Sequence, residues 1–252
     1  MKHQQILDHL AARGHVQALD EELSRWVRRQ MSLRQATGDR VIPPVLARWR
    51  CLLDDDEARP VTKNVVWVAL ATTLHKYGFQ DPAVTAEAVA AVDALNDAVA
   101  LSDAFARQAD KIKEFLASPP LPLTRKPSDP RPLTFLRPGD VLSVELHGRF
   151  HAAYVRKLNG LNETAVIEFY AGTFGRLPTT DELTDREAAR PAAGARFAVT
   201  GLTYLPDPAN QIRALAAAHP TGPTGGDPVP GQGLYAVTDL FSLQRDLENL
   251  FG

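Results

Sequence analysis

Hydrophobic positions along this 252-residue chain change their period once, near residue 118. Before that point apolar residues recur every three to four positions and glycine is scarce. After it, short alternating runs are separated by Gly, Pro and Asn. The first spacing predicts helices, the second strands. Ile6, Leu7, Leu10 and Ala11 mark one face of a helix over about 3–13, stopped at Gly14. A second, about 16–36, carries Val16, Leu19, Leu23, Trp26 and Leu33 and closes at Gly38. Pro43 and Pro44 suit the first turn of a third, with Leu46, Trp49 and Leu53 on its apolar face. The fourth, about 62–77, runs Val65-Val66-Trp67-Val68-Ala69-Leu70 without a polar break, and a helix with no polar face belongs at the centre of a bundle. His75 and Lys76 occupy its last turn, where positive charge favours the helix dipole, and Gly78 ends it. Asp81-Pro82 reads as a cap and first-turn proline opening an alanine-rich helix, and helical spacing continues to Leu116 with a break near Ser102.

The tract SPPLPLTRKPSDPRPL, 118–133, is too rich in proline to propagate a helix or sit inside a sheet, and is expected to be an extended, stiff connector. Arg137-Pro138-Gly139-Asp140 places Pro and Gly as a type II turn requires. Strands are expected at about 141–147, 150–157, 164–171, 196–203 and 234–238. Thr180 is expected to cap a short helix through about Arg190, and 208–218 carries a fainter helical pattern. TGPTGGDPVPGQG, 221–233, reads as a mobile loop, and Asp239 as the cap of a last helix bearing Leu240, Leu243, Leu247 and Leu250. The class expected is α+β: an all-helical N-terminal domain at 1–117, a Pro-rich linker at 118–133, and a small SH3-like or barrel-like antiparallel β domain at 134–252 with a C-terminal helix.

Composition narrows the function classes. Apolar residues make up 44% of the chain, and the net charge of −2 lacks the basic excess that advertises a nucleic-acid partner. One cysteine, Cys51, excludes an internal disulfide framework and fits a reducing compartment. MKHQQILDHLAARGH has no apolar core like that of a signal peptide, and VVWVALA at 65–71 is far too short to span a bilayer. A cytoplasmic protein with no membrane partner is expected.

The residues with the most chemical promise are His147 and His151, near Glu145. A two-residue turn at Gly148-Arg149 sets Leu146 opposite His151 and points the two imidazoles to opposite faces. A three-residue loop at His147-Gly148-Arg149 puts His147 in the turn and His151 opposite Glu145. It also aligns Leu142, Val144 and Leu146 with Phe150, Ala152 and Tyr154 as one apolar face, and is preferred for that. Neither gathers the three or four ligands that zinc needs, so the pair reads as structural. Cys51, beside Leu52 and Leu53, reads as a small core residue, because no cue brings a base to it. Asp54-Asp55-Asp56-Glu57 lacks the glycine and spaced acids of a calcium loop and reads as a solvated turn. Gly172-Thr173-Phe174-Gly175-Arg176 and the 221–233 loop lack the endings of a phosphate loop. No catalytic, cofactor-binding or metal-binding residue is assigned, and no cofactor.

PGDVLSVELHGRFHAAYVRKL, Pro138–Leu158, followed by ETAVIEFYAG, Glu163–Gly172, gives the order Gly-Asp, strand, short turn, strand ending in Val-Arg, strand with an aromatic end. This resembles the opening of the bacterial immunity protein 26 family, loosely continued through Leu177–Leu183 and 196–203. It spans about residues 135–205. The chain departs from the family pattern in having no tryptophan after Trp67. The resemblance implies a non-enzymatic protein that binds and neutralises a cognate bacterial toxin, with oligomeric state and binding face open. Gly139-Asp140-Val141-Leu142-Ser143-Val144 also resembles the first strand of SH3-like barrels of the endoribonuclease toxin type, although the Arg-Pro segment they follow with is absent at Ala153-Tyr154-Val155-Arg156. That alternative implies a nucleic-acid-binding or endoribonuclease-like barrel in which Arg156 meets a phosphate; no general base stands out beside it in the sequence.

Overall fold

The computed structural model describes residues 2–10, 12–129, 133–160, 164–227 and 234–252. Ala11, expected in the first helix, and 228–233 of the expected loop lie outside them. The described residues form eight α-helices and six strands in two compact units, one Met1–Leu46 with Leu52–Pro130, the other Ala47–Cys51 with Arg131–Gly252.

The first unit is helical. It contains α1 (His3–His9), α2 (Arg13–Ser32), most of α3 (Gly38–Leu53), α4 (Pro60–Lys76), α5 (Pro82–Asp97), α6 (Asp103–Ala106) and α7 (Ala109–Ala117). The apolar run of α4 sets its position: Val65, Val66 and every residue from Val68 to His75 are buried, as a helix without a polar face requires. Its end is a Schellman motif. Gly78 takes φ +84 while the Phe79 amide donates to the Leu74 carbonyl at 2.9 Å. Asp81 caps α5 by accepting from the amides of Ala83 and Val84, and Ser102 caps α6.

Two expected glycine stops are absent. Gly14 lies inside α2, and Gly38 opens α3 instead of closing its predecessor. Arg34, at φ +58, ends α2, with the Gln35 amide returned to the Gln30 carbonyl at 2.8 Å. Pro43 and Pro44 consequently fall inside α3, beyond its first turn. Residues 119–129 run without regular secondary structure, and 127–128 are tied to α2: Arg28 Nη1 donates to the Pro127 carbonyl at 2.8 Å and Ser24 Oγ to the Ser128 carbonyl at 2.7 Å.

The second unit is a six-stranded sheet in the order β5-β1-β2-β3-β4-β6, formed by β1 (Val141–Leu146), β2 (Arg149–Asn159), β3 (Thr164–Phe169), β4 (Arg196–Thr200), β5 (Ile212–Ala216) and β6 (Ala236–Asp239), followed by α8 (Ser242–Phe251). The α+β class stands. The barrel does not: β5 and β6 are opposite ends of an open sheet, and β6 pairs with β4 in parallel, so the sheet is mixed. The type II turn forms as expected, with Gly139 at φ +96 and the Asp140 amide bonded to the Arg137 carbonyl at 3.0 Å. Asp239 caps α8, accepting from the amides of Phe241 and Ser242 at 3.0 and 2.9 Å.

Two helical expectations fail here. Residues 212–216 are an edge strand antiparallel to β1, because the Asp207 carboxylate turns back on the amides of Ala209 and Ile212 and Asn210 adopts φ +58, which breaks any helix at 208–218. Beyond Thr180 only the 3-10 turn Asp181–Leu183 forms; Asp185 at φ +56 ends it, and Ala188 bridges to Tyr170 instead.

Strand alternation gives the sheet two covered faces. On one, Leu142, Val144, Ala153, Val155, Ile167, Phe169 and Val199 pack against Leu240, Leu243 and Leu247. The other holds Val141, Ala152, Tyr170 and Leu183 in a smaller cluster. In the first unit, Leu70→Ala should cost about 3 kcal/mol by opening a cavity at a fully buried position. Urea unfolding followed by circular dichroism checks this, with a loss below about 1 kcal/mol arguing against α4 as the packed centre.

Candidate functional site

Glu168 is the one acid in TAVIEF, the sequence of β3. Its neighbours Ile167 and Phe169 face the α8 side, so the pleat turns Glu168 to the other face, opposite Tyr154 of β2 and Arg196 of β4. There its side chain is 0% exposed. A carboxylate so placed demands charged partners. Two arginines supply them. Arg156, carried at an irregularity in β2 between Val155 and Lys157, brings Nε to 2.5 Å from Oε2; Arg196 brings Nη2 to 3.0 and 3.1 Å from the two oxygens. Both guanidinium groups also close on the strap 219–227: Arg156 Nη2 donates to the Pro223 carbonyl at 2.6 Å, and Arg196 Nη2 to the Gly226 carbonyl at 2.9 Å.

The strap approaches by backbone because its glycines permit it. A Cβ on Gly226 would collide with the Glu168 carboxylate, and one on Gly222 would come within 2.7 Å of the Tyr154 ring. Tyr154 lies under Arg156, its ring centroid 5.3 Å from the guanidinium carbon, and its hydroxyl donates to the His219 carbonyl at 3.3 Å. Tyr170 completes this face. Burial, then the neighbouring Tyr154, pushes its phenol up to about 12, so it stays a donor at neutral pH. Its hydroxyl and Arg196 Nε are both buried without a partner. Two guanidinium ions around one carboxylate leave a formal charge of +1.

Sequence reasoning singled out Arg156 and found no acid beside it. Glu168 stands there, twelve residues on, and the signal was a lone acid inside an otherwise apolar strand. Arg196 and Tyr170 had no such signal.

The histidine hairpin differs from both expected registers. Leu146 pairs with Arg149 and Val144 with His151, so the turn is His147-Gly148 alone, at φ +51 and +71, the left-handed pair of a type I′ turn. His147 does sit in the turn, as preferred, but His151 faces Val144 and not Glu145. The face shared with Leu142, Val144 and Leu146 is therefore that of Ala153 and Val155. His151 is buried, 4.5 Å between centroids from Phe251, whereas His147 Nε2 is exposed and 3.5 Å from Glu248. Among the described residues no three His, Cys, Asp or Glu side chains gather as a metal site.

Cys51 is pushed up to about 12 by burial, then by Glu145, so its thiol stays protonated at neutral pH. Asp54–Glu57 forms the turn after α3, with Asp55 accepting from the Glu57 amide at 2.9 Å. In Gly172–Arg176, Arg176 pairs with Glu182 at 2.9 Å. Within the second unit Arg48 makes a bidentate pair with Asp207 at 2.6 and 3.0 Å, both side chains nearly inaccessible. In the first unit His3 Nε2 lies 2.8 Å from His75 Nδ1, and His75 Nε2 is 3.0 Å from the Ser118 carbonyl. That carbonyl can only accept, so His75 carries its proton on Nε2 and His3 donates from its own Nε2.

Compared with protein-family models, curated proteins and solved structures, the chain has no match in any of the three. No helix among the described residues is long and apolar enough to cross a membrane.

Burial lowers His151 from 6.5 to about 4, with Arg149 adding to the effect, and burial followed by His75 lowers His3 to about 4 as well. Between pH 4 and 6.5 the unfolded chain binds these protons and the folded chain does not, so stability is full above the upper value and falls as pH drops through the window. Urea unfolding should show lower stability at pH 5 than at pH 7, by up to about 2 kcal/mol from the buried His151 and by less from the more exposed His3. His151→Leu should remove part of that difference while leaving stability at pH 7 nearly unchanged, since it replaces a ring nitrogen that has no partner. An unaltered pH dependence in the variant would show that His151 titrates normally.

Proposed function

We propose that this chain is a cytoplasmic, non-enzymatic immunity protein that binds and occludes a cognate bacterial protein toxin. The observation that carries the reading is the outer edge of the sheet, at which no further described strand pairs. β6 is the last strand in the order, and its Val237 is 74% exposed, with Leu234 just before it 49% exposed. A short strand edge with an outward apolar side chain suits the addition of a strand from another protein, where main-chain hydrogen bonds supply affinity and side-chain pockets supply choice. The resemblance across Pro138–Leu158 supplies the toxin as partner. Charge complementarity at the rim would set the encounter rate.

A nucleic-acid-acting protein is a second reading, favoured by one observation: the guanidinium groups of Arg156 and Arg196 stand together on one face of the sheet, a pairing that could meet a phosphate. Its mark is an affinity for RNA or DNA that falls steeply with salt.

Co-expression with the protein encoded by the adjacent gene tests the first reading. The expected result is restored growth and co-purification, with Val237→Lys weakening the complex at least about tenfold while the chain stays folded. Failure of both rescue and co-purification removes the immunity reading. Rescue that is indifferent to Val237→Lys moves the interface away from β6.

A further inference from the structure

The face of the sheet beneath the 219–227 strap holds more hydrogen-bond donors than the protein satisfies. Glu168 takes one donor from Arg156 and two contacts from Arg196. Arg196 Nε and the Tyr170 hydroxyl remain buried and unpartnered, and Tyr170 is itself only 1% exposed. Tyr170 lies two residues beyond Glu168, on the same face by strand alternation, in the small cluster against which Tyr154 packs. Surplus donors and a formal charge of +1 are the chemistry of an oxyanion site, since phosphate offers several acceptor oxygens and guanidinium groups bind it in a fixed fork.

The strap stands where such a ligand would. Pro223 and Gly226 offer carbonyl oxygens to the same two guanidinium groups, and they bring dipoles where a phosphate would bring charge. We propose that Arg156, Arg196 and Tyr170 form a binding site for a phosphate-type oxyanion, occupied in this structure by the chain's own strap at 219–227. The strap is also held by backbone, Thr224 bonding to Arg186 and Ala188 and the Gly226 carbonyl accepting from the Ala193 amide, so its release must break that bridge. The segment itself consists largely of Gly, Pro and Thr, and places no large apolar side chain in either core cluster of the sheet. Segments that bury little apolar surface open at low free-energy cost. The site does not depend on the immunity reading and uses a different part of the sheet from β6.

A self-occupied site has a defined signature. Apparent affinity equals intrinsic affinity reduced by the fraction of molecules with the strap released. The wild-type chain should therefore bind phosphate weakly. A variant that dislodges the strap without touching the arginines should bind it more tightly. Gly226→Ala is that variant, because its methyl group would collide with a fully buried carboxylate held by two partners. Gly222→Ala acts at the other end of the strap, against Tyr154 and Arg156.

The experiment titrates the full chain with inorganic phosphate and, separately, with adenosine 5′-monophosphate, following the Nε–H resonances of Arg156 and Arg196 by NMR. Binding is expected to shift both resonances, to tighten at least about tenfold in Gly226→Ala, and to be lost in Arg196→Gln. A preference for the nucleotide identifies an esterified phosphate as the ligand; equal binding identifies the free anion. If folded Gly226→Ala and Gly222→Ala bind no more tightly than wild type, the strap does not compete and the proposal is wrong. If neither variant folds, the wild-type titration decides, and unmoved arginine resonances at saturating phosphate overturn it.

Discussion

A carboxylate with no access to water sits in the middle of the sheet, and most of the irregular structure of the second unit follows from it. Glu168 is fully buried on β3, with β2 and β4 on either side. Removing such a charge from water costs several kcal/mol unless charged partners meet it. The strands on both sides provide them, and each partner imports a donor surplus of its own. That surplus draws in the carbonyls of the strap. The strap in turn must be glycine where it passes over Glu168 and Tyr154, because no Cβ fits. One acid thus dictates a local irregularity in β2, an arginine at the start of β4 and the backbone chemistry of a loop some sixty residues away in sequence. Breaking the set by removing one member would strand the others, which is how such clusters contribute specificity more than net stability.

Arg48 and Asp207 repeat the principle on a smaller scale. Asp207 is claimed by a guanidinium more than 150 residues away in the chain and by two nearby amides. It therefore cannot serve as the cap of a helix, and the segment after it pairs with β1 as an edge strand. The helical spacing of 208–218 was real as a pattern; a long-range ion pair outweighed it. The short helix expected after Thr180 fails for a related reason. Arg186 is drawn to the carbonyls of Glu182 and Ala171, and the backbone beyond it bridges to Tyr170 and Thr224.

What could be read from the sequence was whatever local chemistry decides. The buried α4, the caps at Asp81 and Asp239, the break near Ser102 and the type II turn at Arg137–Asp140 depend on residues within a few positions of one another. Glycine proved an unreliable stop, since Arg34 adopted the left-handed conformation that ends α2 while Gly14 and Gly38 went into helices. The hairpin register was missed by one residue, because His147 accepts a positive φ that favours Asn or Gly. That one step moved His151 from beside Glu145 to beside Val144 and into the apolar core. Of the polar cluster, Arg156 stood out in the sequence and Glu168 left a trace as an acid among apolar residues, while Arg196 and Tyr170 left none. Pro223 and Gly226 contribute carbonyl oxygens, and a backbone acceptor leaves no mark in a residue pattern.

The exposed edge and the covered polar face meet on one strand. Arg196 and Phe197 are consecutive in β4; Arg196 points to Glu168, and Phe197 pairs with Ala236 of β6. Alternation sends their side chains to opposite faces, so a strand added at β6 would leave the charged cluster sterically untouched. The two are still joined through a single peptide unit of β4, and a parallel pairing of four residues is a short clamp on that strand. An adjustment of β6 would act directly on Phe197 to Thr200 and reach Arg196 only through the peptide that joins it to Phe197. A strand added at β6 and an oxyanion beneath the strap would thus not compete for space, yet both would bear on β4.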